Sequence, residues 1–239
     1  MAYTPRHQAD YQPWQDSACP PYPFSNDDWS PTTVADLRVA LALQNTSREK
    51  AAGLVIGSGG LPYILAHVGV SRLVVADLHE EVIETTLWRV GRLNDHADWD
   101  GYEAEVTSGL QDEGDRHQFG LELNRARKGG LLDDFSVTRA GLATTELVGA
   151  QGDICQIAPA LGEQIEGDGQ QVTFVNTTNV ITYTGDHAFF SRSERRRILG
   201  NALGHLPLAE SAIIIDSAPR LIPKIYLAET YPGVRQETS

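Results

Sequence analysis

The sequence predicts an α/β fold, a mostly parallel sheet with helices on both faces. Three observations lead there. Short apolar runs (GLVIG at 53–57, LVVAD at 73–77, AIIID at 212–216) alternate with stretches of helical periodicity. The first run ends in clustered glycines at 57, 59 and 60. The second ends in Asp77, twenty residues after Gly57, the separation that a strand–turn–helix–strand unit requires.

Residues 1–30 form a distinct N-terminal arm. They hold six of the eighteen aromatics, and prolines 5, 13, 20, 21 and 23 prevent a long helix. Disordered tails are poor in aromatics, so the arm is expected to fold back onto the body. Residues 31–239 are then one α/β domain. Its first helix starts at Ser30-Pro31, with Ser30 as N-cap and Val34, Leu37 and Leu41 as its apolar stripe. GLVIG is a buried strand, LPYILAHVGV a helix, RLVVAD the second strand and LHEEVIETTLWRVGRL the next helix. Residues 95–135 are periodic only in places and read as an insertion or irregular helices. A third strand is expected near 146–150, a fourth at QVTFVN, a helix over SRSERRRILGNALGHL and a fifth strand at SAIIID. RLIPKIYLAE adds an edge strand, restricted by Pro223.

Composition narrows the partners. The chain has 239 residues, 41% of them hydrophobic, and no apolar run approaches the ~20 residues of a membrane span. MAYTPRHQAD lacks the pattern of a secretory signal. Cys19 and Cys155 are too few for a disulfide framework and do not pair as metal ligands, so no metal site is expected. A cytoplasmic protein that does not engage a membrane is expected. The formal net charge of −13 repels a phosphate backbone, so a small-molecule substrate is favoured and nucleic acid is not expected. The one dense basic cluster, Arg192, Arg195, Arg196 and Arg197, reads as a solvated helix face, or as a site for an anionic substrate or a partner. The sequence carries no signal of oligomeric state.

In parallel sheets ligands bind beyond the carboxyl ends of the strands, where the strand order reverses. Those ends carry Gly57 to Gly60, Asp77, Asp153, Asn176 to Asn179, and Asp216-Ser217. Glycines after a strand let the backbone approach a ligand, and an acid at the end of the next strand can accept two ribose hydroxyls. A dinucleotide wants a sixth-position glycine, where this chain has Pro62. S-adenosylmethionine (SAM) has no pyrophosphate and needs only the tight turn.

Four motifs, in order over roughly residues 50–216, resemble the class I SAM-dependent methyltransferase family. IGSGG matches its glycine motif, VVADLHEE its second-strand acid motif, VGAQGDI its adenine-contacting segment, and VTFVNTTNVITY its fourth-strand motif. The resemblance implies a Rossmann-like methyltransferase fold with SAM as cofactor, held by Gly57, Ser58, Gly59, Gly60, Asp77, Leu78, Asp153, Ile154 and Asn176. In this reading Asp77 holds the ribose, Leu78 flanks the adenine, and Asp153 with Ile154 meets the adenine edge and face. Tyr11, Trp14, Tyr22 and Trp29 are lid candidates, since a sulfonium is attracted to ring faces. Asn176, Asn179, Tyr183, His187 and Ser217 are candidate catalytic residues, with Asp186 as a further proton acceptor.

The chain departs from the family at three places. Val55 stands where an acid usually helps to hold the cofactor's ammonium, Leu61 where a last glycine is usual, and NTTN in place of an acid or Asn followed by two prolines. Without the acid, other groups bind the ammonium, or the amine is kept neutral and nucleophilic. The second case matches azetidine-2-carboxylate synthases, members of the same fold that cyclise SAM and release methylthioadenosine. Methyl transfer to a small molecule, cyclisation, and nucleoside binding without turnover are the three functional expectations.

Overall fold

The computed structural model describes residues 24, 29–57, 61–64, 68–132, 135–177, 191–216 and 223–234. Six strands form one sheet: β1 (Ala51–Ile56), β2 (Arg72–Asp77), β3 (Glu146–Gln151), β4 (Gln171–Asn176), β5 (Leu208–Asp216) and β6 (Lys224–Leu227). Their order is β3-β2-β1-β4-β5-β6, with every pair parallel except β5 and β6. The order reverses between β1 and β4. The fold is therefore a doubly wound, Rossmann-like sheet whose crevice opens at the carboxyl ends of these two strands.

The central strands are buried on both faces, which is why they read as unbroken apolar runs and not as alternation. The helices divide unequally. Helices α1 (Pro31–Ala42), α2 (Leu61–Ile64), α3 (Glu80–Arg92), α4 (Trp99–Gly109), α5 (Glu113–Gly129) and α6 (Phe135–Leu142) contribute to a core with Val55, Val75, Phe174 and Ile215. Helices α7 (Ile154–Gly167) and α8 (Arg192–Leu203) cover the opposite face over Leu54, Val74, Val175 and Ile214. Ser30 caps α1, as expected, its hydroxyl accepting from the Thr33 N–H at 3.2 Å. Ser191 caps α8 with a reciprocal capping box through Glu194.

The stretch 95–135 holds two full helices, α4 and α5, and leads into a third, α6. Trp99, Tyr102, Val106, Phe119, Leu123 and Ala126 from α4 and α5 are buried in the main core. This segment is part of the domain, not an insertion. The helix expected over 61–70 is helical at 61–64; Val68 to Val70 already lead into β2.

A β-bulge decides what faces the crevice. Pairing of β4 with β1 shifts at Thr173, and Val172 and Phe174 belong to opposite core clusters although they are two residues apart. The Thr173 carbonyl at the bulge accepts a hydrogen bond from the Gln44 side chain at 2.5 Å. Beyond the bulge Asn176 shares the face of Val55, and the two are direct partners across the β1–β4 pair.

Trp29 is 6% exposed and lies in the main core. Trp29 lies so close to Gly129 of α5 that a Cβ added there would meet Trp29 Cβ at 2.6 Å. Expected in a lid, Trp29 is instead a core anchor, because a ring of that size is more stable against the α5 surface than over a solvated cleft. Tyr11, Trp14 and Tyr22 lie outside the described residues.

Candidate functional site

Gly57 ends β1 in the left-handed region, at φ 73°. That conformation is costly for any residue with a Cβ. Its N–H donates to the Ala76 carbonyl at 2.8 Å, which fixes the turn against the end of β2. A Cβ built on Gly57 would lie 3.6 Å from Asp77 Oδ2, so the turn and the carboxylate border the same space. The other oxygen, Oδ1, accepts from the His79 N–H at 2.8 Å. This bond orients the carboxylate and leaves Oδ2 on the side of the turn. Burial pushes the Asp77 carboxyl above its ordinary value, partly offset by the His79 N–H.

The ends of β2 and β3 are tied together. The Gly152 N–H donates to the Asp77 carbonyl at 2.8 Å, and the Gln151 amide reaches the Leu78 carbonyl at 3.4 Å. Gly152 has φ 143° and adjoins Asp153. Asp153 is the N-cap of α7: its Oδ1 accepts from the Cys155 N–H at 2.9 Å. Its carboxylate thus has a structural task as well as its position beside β3. Ile154 is 4% exposed and packs in the α7–α8 core cluster.

On the far side of the crevice, Asn176 is fully buried at the end of β4, directly across from the fully buried Val55. Thr177 follows, its N–H and hydroxyl both donating to the Ile215 carbonyl, at 2.8 and 3.0 Å. Asp216 ends β5 on the other face, fully buried, and pairs through Oδ2 with Arg196 Nε of α8 at 2.7 Å. Asp216 Oδ1 is buried with no hydrogen-bond partner among the described residues. Burial raises the Asp216 carboxyl, with Arg196 opposing that shift. The buried Tyr231 phenol is raised by burial and by the neighbouring Asp216 charge.

The expected SAM-site residues Gly57, Asp77, Leu78, Asp153, Ile154 and Asn176 therefore all lie at the carboxyl ends of β1 to β4, or within three residues of them. Ser58, Gly59, Gly60, Asn179, Tyr183, Asp186, His187 and Ser217 lie outside the described residues. Tyr231, whose phenol neighbours Asp216, was not singled out from the sequence. Arg196, grouped there with a solvated helix face, is instead 20% exposed and committed to Asp216. A strand-final acid eight positions after the start of β5 was the available signal for that pairing.

Chemically the arrangement suits a nucleoside. Gly57 keeps the turn free of a side chain, and the Asp77 carboxylate can accept hydroxyls beside it. Among the described residues no three His, Cys, Asp or Glu side chains gather to hold a metal ion. Among them too, no helix is long and apolar enough to cross a membrane.

No family model matches the chain, and no curated protein matches it. Among solved structures, the rRNA methyltransferase aviRa from Streptomyces viridochromogenes is similar at 13% identity and a TM-score of 0.43. The match covers 77% of this chain and 72% of that one. That neighbour is an rRNA methyltransferase, which goes against the expectation that nucleic acid is excluded as a partner. Net acidity averages over the whole surface and does not decide what one crevice admits.

Proposed function

We propose that this chain is a SAM-dependent transferase. One observation carries the reading: Gly57, in a left-handed turn at the end of β1, stands beside the Asp77 carboxylate at the end of β2. The residues fit the adenosine half of SAM. Asp77 would accept the ribose hydroxyls, the Gly57 turn would lie against the nucleoside, and Leu78 and Asp153 would border the base. When bound, SAM supplies an electrophilic carbon on a sulfonium. The chain's part is to bind, orient and exclude water.

The simplest reaction is methyl transfer to an acceptor. A second reading has one observation in its favour. Val55 is fully buried, and its partner across the β1–β4 pair is the amide of Asn176 and not an acid. A neutral amide does not raise the pKa of a neighbouring amine as a carboxylate does. A neutral amine could then displace the sulfur at its own Cγ: the N–Cγ bond forms, the Cγ–S bond breaks, methylthioadenosine leaves and the amine loses a proton.

Incubation of the pure protein with SAM alone separates these readings. Methylthioadenosine without any acceptor means cyclisation. Adenosylhomocysteine that forms only when small-molecule or RNA fractions are added means methyl transfer, and the active fraction identifies the acceptor class. Tighter calorimetric binding of NAD than of SAM or adenosylhomocysteine would overturn the cofactor assignment.

A further inference from the structure

The main core holds a buried polar cluster that the proposed reaction does not use. Arg89 of α3 is fully buried and ion-paired with Glu122 of α5, itself 2% exposed. The guanidinium sits between two rings, 5.1 Å from the centroid of Phe24 and 5.2 Å from that of Phe119. It also donates to the Tyr63 hydroxyl at 3.4 Å. Tyr63 belongs to α2, which begins four residues after Gly57.

We propose that Phe24 positions α2, the helix that follows the glycine motif in sequence: its ring seals Arg89, and Arg89 holds Tyr63. Three physical points support the chain of contacts. A buried ion pair is stable only while its desolvated geometry is kept, so the groups that close off water decide how firmly the guanidinium is held. Among the described residues, Phe24 is the part of that seal supplied from the N-terminal side of α1. A single helical turn such as α2 is not stable by itself, so its place is set by what its side chains pack against. Tyr63 is 1% exposed, packs on Trp99 at 5.7 Å between ring centroids, and meets Arg89 through its hydroxyl.

If the Phe24 ring is removed, water reaches the guanidinium and Arg89 is free to leave Tyr63. Helix α2 then loses one of its fixed points. The consequence for ligand binding rests on the reading of the preceding glycine motif as a nucleoside site; the mechanical link does not. Phe24 is thus a positioning residue, acting through Arg89 and Tyr63.

The test compares Phe24→Ala, Phe24→Leu and Phe24→Tyr with the wild type, in the full chain. Leu199→Ala is the control, since it opens a cavity in the opposite core layer. Two quantities are read: deuterium uptake over residues 57–70 without ligand, and calorimetric affinity for adenosylhomocysteine. Phe24→Ala and Phe24→Leu are expected to speed exchange over 57–70 about tenfold, a selective local opening that Leu199→Ala does not reproduce. Affinity falls in parallel, and Phe24→Tyr restores both because it keeps a ring face for the cation. Should Phe24→Ala unfold, Phe24→Leu decides, because it keeps apolar bulk and removes only the ring. Exchange over 57–70 equal to wild type, or matched by Leu199→Ala, overturns the proposal. A wild type that binds no adenosylhomocysteine overturns the function instead, and the exchange data still judge the link.

Discussion

Gly57 and Asp77 border one space: a Cβ on Gly57 would stand 3.6 Å from Asp77 Oδ2, while Oδ1 is occupied by the His79 N–H. One carboxylate oxygen is thus spent on holding the group still, and the other looks onto the turn.

Asp77→Ala is expected to weaken SAM binding by about 1.5–3 kcal/mol, the scale of hydrogen bonds to a charged group. Isothermal calorimetry measures this directly. An unchanged dissociation constant would remove Asp77 from the site.

Gly57→Ala meets no steric obstacle, since 3.6 Å is an ordinary contact. Its cost is conformational, because φ 73° is unfavourable for any side chain. The expected loss is about 1–2 kcal/mol of folding stability in denaturant titrations. Affinity for adenosylhomocysteine should fall as well, since the new methyl group projects beside the carboxylate.

The raised Asp77 carboxyl gives two opposite pH slopes. Between 3.8 and its raised value the folded chain holds more of this proton than the unfolded one. Stability without ligand therefore falls as pH rises through that window. Ribose hydroxyls prefer the ionised carboxylate, so affinity rises over the same window. Asp77→Asn should flatten both slopes relative to wild type; thermal midpoints and calorimetry from about pH 4 to pH 7 give the comparison. The difference between the two proteins matters, because Asp216 is raised too.

Breaking the Arg89–Glu122 pair from one side leaves an uncompensated charge in the core. Arg89→Met and Glu122→Leu should each cost about 3–5 kcal/mol. The double replacement should cost clearly less than the sum, because it leaves no buried charge behind. Chemical denaturation of the three variants closes the cycle.

Val55→Asp places a carboxylate across from Asn176. In a folded variant, an acceptor-independent release of methylthioadenosine should drop about tenfold for each unit by which the carboxylate raises the amine's pKa. Higher pH should recover part of it. Methyl transfer to an added acceptor should change little. Product chromatography after incubation with SAM distinguishes the two.

Much of the sheet was legible because its strands carry little but apolar residues, and the glycine and acid that end β1 and β2 are local signals. The helices α4 and α5 were not, for a reason visible in one residue. Glu122 lies on the buried face of α5 and breaks its apolar stripe, and Arg89, 33 positions earlier, makes that tolerable. Trp29 was misplaced for a related reason. Its aromatic company in the arm suggested a shared role, while the partner that buries it is Gly129, a residue with no side chain to notice. The Asn176–Val55 partnership was hidden as well, since it depends on the slip at Thr173 and not on either residue's own neighbours.

That slip absorbs one residue of β4. Removal of Thr173 would straighten the strand and leave Asn176 opposite Val55, because Val172 and Phe174 already face opposite sides and the alternation then runs unbroken. The polar lining of the crevice is therefore buffered against a change of length at this one point. A lineage could lose or regain that codon and keep the same amide beside β1, whereas a deletion elsewhere in β4 would turn the strand over and mark a change of chemistry.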